Sequence, residues 1–151
     1  MAITKASVWR SVRRENYPNG TLIDGKAVVG ILYPSFEDEV IRSGPRMGNI
    51  RLADVDVFVS AGRQYVKTGG GTSLFDRINV FGTKFWVCFE IPEGTQIPDS
   101  LRFVGPDWNQ QRQANHYQIE STARSMRVDS FKGALDNLAR NAVVRSIALA
   151  K

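Results

Sequence analysis

Short runs of β-forming residues alternate with turn signals along most of this chain, and helical spacing is clearest at its C-terminal end. KASVWRSV (5–12) reads as a strand. Turn signals follow at Pro18-Asn19-Gly20 and Asp24-Gly25. PSFEDEVIRSG (34–44) predicts a short helix with Ser35 as its cap and acids in its first turn, stopping at Gly44-Pro45. VDVFVS (55–60) has the composition of a strand. After three glycines, SLFDRINVF (73–81) predicts a second short helix, with Thr72 or Ser73 as cap and Asp76 reaching back. KFWVCFEI (84–91) is the most hydrophobic run and the candidate central strand. The loop IPEGTQIPDS leads into LRFVG (101–105), and HYQIEST (116–122) lies beyond the polar stretch PDWNQQRQAN; both runs read as strands.

In DSFKGALDNLARNAVVRSIAL (129–149), Phe131, Leu135, Leu138 and Ala142 share one helical face, and Val143 and Ile147 widen it. Asp129 or Ser130 can cap this helix, and Asp136 with Arg140 has the spacing of a favourable pair. Gly133 weakens its first turns by up to about 1 kcal/mol relative to alanine. A helix this amphipathic packs against something, here expected to be the sheet. The sum is an α+β fold of short strands, short helices and one long terminal helix. With no internal repeat or linker, residues 1–151 read as one domain.

Composition narrows the class. The chain has 151 residues with 42% apolar content, enough for one substantial core. Its single cysteine, Cys88, cannot form an internal disulfide, and a thiol inside an apolar strand is usually an inert packing group. No apolar stretch reaches membrane-spanning length. MAITKASVWRSVRREN places arginines where a cleaved signal peptide carries its apolar core, so the chain is expected to start near Met1 and to work in a cytoplasm. Export by a machine that needs no cleaved leader stays open. The net charge is +5, and 14 of the 20 basic residues are arginine, whose planar guanidinium suits phosphates. A soluble basic surface and a phosphate-bearing partner are both compatible with this balance.

The loop KTGGGTSLFDR (67–77) is the first chemical candidate. It lacks the lysine of a P-loop and the spaced glycines of a dinucleotide fingerprint. Backbone N–H groups with Thr72 and Ser73 could serve a polar ligand; a turn followed by an ordinary helix cap explains the same string. His116 is the sole histidine, which with one cysteine makes a zinc site improbable, and no nucleophile elbow is present. Arg10 shares a strand face with Val8 and Val12. If that face is buried, the guanidinium needs a partner. Asp54 or Asp56 is the first choice, with a ligand phosphate close behind. Arg13, Arg14 and Arg63 read as solvated.

The order of these pieces resembles one family. Trp9-Arg10, Asn16-Tyr17 and Arg51 come first, then TGGGTSLFD, PEGTQIPDSL, WNQQRQANHYQI and GALDNLARNAV. This series is similar to the ADP-ribosyltransferase-like toxins exported by bacterial type VI secretion systems, most closely from Thr68 to Val143. The resemblance implies a compact split β-sheet fold binding NAD as co-substrate in a cleft between two small sheets. It implies cofactor-binding roles for Arg10, Arg51, Gly71 and Tyr117, and catalytic roles for Thr72, Ser73, Gln113 and His116. It further implies transfer of ADP-ribose to an unknown acceptor, and a cognate neutralising protein in producing cells. Gln113 and His116 stand where many transferases carry a glutamate; nearby Glu120 matches no position expected of the toxin family.

Two other readings compete. One is a basic nucleic-acid-binding or RNA-modifying domain using Trp86, Trp108, Tyr117 and the arginines, though these aromatics form no clustered stripe along the sequence. The other is a non-catalytic interaction protein on the same scaffold.

Overall fold

The computed structural model describes residues 2–42 and 44–151. The chain runs through β1 (Val8–Arg13), a 3-10 turn (Arg14–Asn16), β2 (Leu22–Ile23), β3 (Lys26–Ala27), β4 (Glu39–Val40) and β5 (Ile50–Arg51). It continues through β6 (Val57–Ser60), β7 (Arg63–Lys67), β8 (Thr72–Phe75) and β9 (Trp86–Ile91). β10 (Leu101–Asn109), β11 (Ala114–Ser121), β12 (Ser125–Arg127) and α1 (Val128–Leu149) complete it. The fold is α+β, as its sequence predicts.

The main sheet has the order β10-β11-β8-β1-β9, and a second sheet has the order β12-β7-β6. Alternation along the main strands sends Val8, Val12, Leu74, Phe89, Ile91 and Ile119 to one side, where they are buried. Phe131, Leu135, Leu138 and Ala142 of α1 complete that core. The helix touches β9 of the main sheet and also β7 and β12 of the second, so one apolar stripe joins both layers.

Several expectations are corrected. Residues 34–44 form no helix: Glu39 and Val40 pair with Arg51 and Ile50 in a small arm. Asp38 accepts from the Ala53 N–H, and the Ser35 hydroxyl donates to the Glu37 carbonyl rather than capping anything. Ser43 of that stretch lies outside the described residues. The predicted helix over 73–81 does not form: its start lies in strand β8, because pairing with β11 and burial of Leu74 outweigh local capping signals, and 76–81 are bend and turn. β9 lies at the sheet edge, and β8 takes the central place. The hydrophobicity of β9 instead reflects cover on both faces: Phe89 and Ile91 enter the core, while Trp86 packs on Phe81 from the other side.

Helix α1 begins at Val128 directly from β12, and its N-cap residue, Arg127, makes no side-chain cap. Asp136 does not pair with Arg140; it accepts from the Gly30 N–H and the Tyr33 hydroxyl, and Arg140 donates to Asn137. Ile147 is 54% exposed, so the buried stripe ends before it.

Candidate active site

The site starts from a split in the main sheet. β1 pairs with β9 over six consecutive positions, Val8 opposite Ile91 through Arg13 opposite Trp86. It meets β8 at one position, Trp9 opposite Phe75. Beyond that point Arg10 donates from Nη1 to the Ser73 carbonyl at 3.4 Å and from Nη2 to the Tyr33 carbonyl at 3.1 Å. Its Nε is buried and has no hydrogen-bond partner. Burial pulls the Arg10 pKa below its ordinary value; Asp54 and Tyr17 oppose that shift, and Arg51 adds to it.

The expected structural pair between Arg10 and Asp54 or Asp56 is therefore not formed. Asp54 is committed to Arg51 at 3.2 Å and to the Ser35 N–H at 2.7 Å. A guanidinium held by two carbonyl dipoles and lacking a carboxylate contact retains its positive charge for an anionic ligand.

The glycine loop supplies a second wall. At Gly70 a Cβ would lie 2.3 Å from the Asp54 carbonyl oxygen, and at Gly71 one would lie 1.7 Å from that of Ile119. Side chains are thus excluded where the loop passes between residues 54–55 and β11. Thr68 and Gly69 turn towards Glu120, which is 6% exposed. The Glu120 carboxylate accepts from Gln118 Nε2 at 2.9 Å, the Gly69 N–H at 3.2 Å, and Thr68 Oγ1 and Arg102 Nη2 at 3.4 Å each. Gln118 stands opposite Ser73 in the strand register. Beside the glycine loop lies a hollow of about 270 Å³, lined by Ala53–Asp56 and Thr68–Gly70. Register puts Arg10, opposite Phe89, on the helix side of the main sheet, and Gln118, opposite Ser73, with Glu120 on the other side.

The residues expected from the sequence are distributed unevenly around it. Arg51 is exposed and reaches Asp54, close enough to Arg10 to affect its titration. Gly71 is buried against Ile119. The Thr72 hydroxyl is fully buried and donates to the Leu32 carbonyl at 2.5 Å, so it holds a neighbouring segment. Ser73 is half-buried and meets Arg10 through its carbonyl. Tyr117 packs partly into the core, and burial raises its pKa.

His116 faces Phe75, with ring centroids 5.2 Å apart. Burial lowers its pKa, and Asp107 partly opposes this. Gln113 sits exposed in the turn between β10 and β11 with φ 51°, donating to the Gln110 carbonyl. Five residues of strand, roughly 16 Å, separate it from Gln118. Gln113 is thus not brought together with Ser73; Gln118, which the sequence reading does not name, stands opposite Ser73, and Glu120, which it matches to no expected position, meets the glycine loop. Their signal was present: in Tyr117-Gln118-Ile119-Glu120, two polar residues alternate with a tyrosine and a buried isoleucine.

Among the described residues, no three His, Cys, Asp or Glu side chains are grouped to hold a metal, and no helix is long and apolar enough to cross a membrane. The split sheet and the chain's similarities place it among ADP-ribosyltransferase-type toxins. More narrowly, the chain belongs to the Tse2 ADP-ribosyltransferase toxin family, whose profile matches residues 3–147. Toxin Tse2 of Pseudomonas aeruginosa is 32% identical over 144 residues, covering 95% of this chain and 86% of that protein.

Proposed function

We propose that the chain, acting as one domain, is a cytoplasm-acting toxin that uses NAD as co-substrate and transfers ADP-ribose to an acceptor. The supporting observation is the Arg10 guanidinium, buried at the sheet split without a carboxylate contact. The donor set fits a dinucleotide: cationic groups for the diphosphate, and hydroxyl, amide and carboxylate groups for ribose. A hollow of about 270 Å³ is small for a whole dinucleotide, so it would take one end while the rest follows the split past Arg10.

Bound NAD supplies a ribose whose bond to nicotinamide breaks with positive charge developing on the sugar, as in glycoside cleavage. Arg10 clamps the diphosphate, and Arg51 adds a second cation from the arm. The Gly69 N–H and Gln118 fix the Glu120 carboxylate, which accepts from ribose hydroxyls and stabilises the developing cation. The Ser73 hydroxyl, on the Gln118 side, and Tyr117, on the Arg10 side, would approach the dinucleotide from the two faces of the split, while His116, whose pKa burial lowers, lines the approach of the acceptor. A protein that covers this opening would neutralise the toxin in a producing cell.

Calorimetry with NAD, paired with chromatographic measurement of released nicotinamide, tests the reading. Arg10→Gln is expected to weaken NAD binding by about a hundredfold, and Glu120→Gln to bind NAD but lose about a hundredfold in turnover. Wild-type protein giving neither binding heat nor nicotinamide would end the proposal.

A further inference from the structure

We propose that the face of the main sheet turned away from α1 carries a binding surface for single-stranded nucleic acid, built on Arg13, Trp86, Phe81 and Arg112. We further infer that such a strand is the ADP-ribose acceptor, a step that rests on the NAD reading above.

Strand register defines this face. Arg13 stands opposite Trp86, Trp9 opposite Phe75, Phe75 opposite His116, and Ser73 opposite Gln118. Opposed residues project to the same side, and so do residues two apart. These side chains therefore share the face that the helix does not cover; the helix packs with Val8, Leu74, Phe89 and Ile119 on the other.

The rings and cations dispersed in the sequence converge there into one row. The Arg112 guanidinium lies 4.4 Å from the Phe81 ring centre. Phe81 lies 5.0 Å from Trp86 at an interplanar angle of 32°, and Arg13 sits 5.2 Å over Trp86. Phe81 also meets Phe75 edge-on at 5.8 Å, which links the row to His116. Beside it, Lys84 lies 5.1 Å over Phe85, whose ring belongs to a residue 58% exposed. Glu15 lies 3.6 Å from Arg13.

Such a row combines two recognition elements. Guanidinium planes held over rings are oriented before binding and present N–H edges to phosphate. Flat surfaces beside them stack bases of any sequence, which suits a single strand; a duplex hides its base faces. An acidic protein surface would use the cations and leave the rings unrewarded. Ser73 and Gln118 lie two residues along their strands from Phe75 and His116, so a strand crossing the row passes roughly 7 Å from them.

In the transfer, a nucleophilic nitrogen or oxygen of the nucleic acid forms a bond to the ribose anomeric carbon. The carbon–nitrogen bond to nicotinamide breaks, nicotinamide leaves as a neutral molecule with the bonding pair, and the nucleophile's proton passes to solvent.

The test is fluorescence anisotropy with labelled single-stranded RNA and DNA of about 20 nucleotides, between about 50 and about 200 mM salt. Wild-type protein is expected to bind with a log–log salt slope of about −1.5 to −3. Arg112→Ala and Phe85→Ala are expected to lose about five- to tenfold in affinity with unchanged circular dichroism. Arg112→Lys, which keeps the charge but not the plane, should fall between. Arg63→Ala and Arg127→Ala, which alter cations elsewhere, should stay within about twofold. Absence of binding at low salt, or equal losses in all these variants, would overturn the surface.

Incubation with labelled NAD tests the acceptor role, which label on the oligonucleotide supports. Nicotinamide release with label on protein alone overturns that role and leaves the NAD reading standing. No release removes the NAD reading and the acceptor role together, while the binding surface is judged by anisotropy alone.

Discussion

A single missing Cβ decides how β8 meets β11. Any side chain at Gly71 would collide with the Ile119 carbonyl oxygen, and that oxygen belongs to strand backbone that cannot yield without breaking the sheet. Gly71→Ala is therefore expected to destabilise by about 3 kcal/mol or more, read as a collapse of the thermal transition. Two residues further on the outcome should reverse. Ser73 serves Arg10 through its carbonyl, which alanine retains, so Ser73→Ala should hold its melting temperature within a few degrees while turnover falls. A fully active Ser73→Ala protein would count against a role for the hydroxyl. Sequence reading singled out both residues through the glycine–hydroxyl string TGGGTSLFD and the resemblance it carries. It assigned Thr72 the same exposed role because a hydroxyl next to glycine looks alike whether it caps, binds or is buried. Only its neighbour in space, the Leu32 carbonyl, distinguishes these cases.

Among elements, the segment from Gly30 to Tyr33 is tied on three sides. Asp136 of α1 accepts from the Gly30 N–H at 3.0 Å and the Tyr33 hydroxyl at 2.6 Å, the Leu32 carbonyl holds Thr72, and the Tyr33 carbonyl holds Arg10. The terminal helix thus positions the arginine through an intervening strap. Tyr33→Phe should cost about 1–2 kcal/mol by removing a bond to a charged acceptor. Burial, with Asp136, raises the Tyr33 pKa from its ordinary 10 to about 12. The folded state then holds that proton more tightly than the unfolded chain. Stability is full below about pH 10 and falls as pH rises through about 12. In Tyr33→Phe this part of the alkaline loss disappears, while the part due to Tyr17 and Tyr117, whose pKa values are also raised, remains. Melting temperatures of both proteins across that range measure the difference; parallel curves would exclude the linkage.

For the whole molecule, α1 is the common support of both sheets, so its apolar face governs global stability. Leu135 is completely buried, whereas Ile147 is mostly exposed. Leu135→Ala should cost about 2–5 kcal/mol, and Ile147→Ala no more than about 0.5 kcal/mol. Denaturant titration should show a lower midpoint for the first, with near-UV and far-UV signals moving together. Separate transitions for the two signals would mean that the helix does not couple the layers. At this scale the basic and aromatic residues also acquire an address. Arg13, Phe81, Trp86 and Arg112 are scattered over a hundred positions and meet because β9, the loop before it and the β10–β11 turn converge at one end of the sheet.

The sequence by itself determined the α+β class, the terminal helix and the strands β1, β6, β9, β10 and β11, because alternation and helical spacing are local signals that burial on one face enforces. It also marked Arg10 as a cation on an apolar face. The tertiary structure alone decided that β8 is a strand at the sheet centre, that Arg10 faces carbonyls instead of a carboxylate, and that Glu120 rather than Gln113 stands near the glycine loop. Each of these depends on which distant backbone groups become neighbours. That outcome is set by competition among long-range pairings, which no short window of sequence contains.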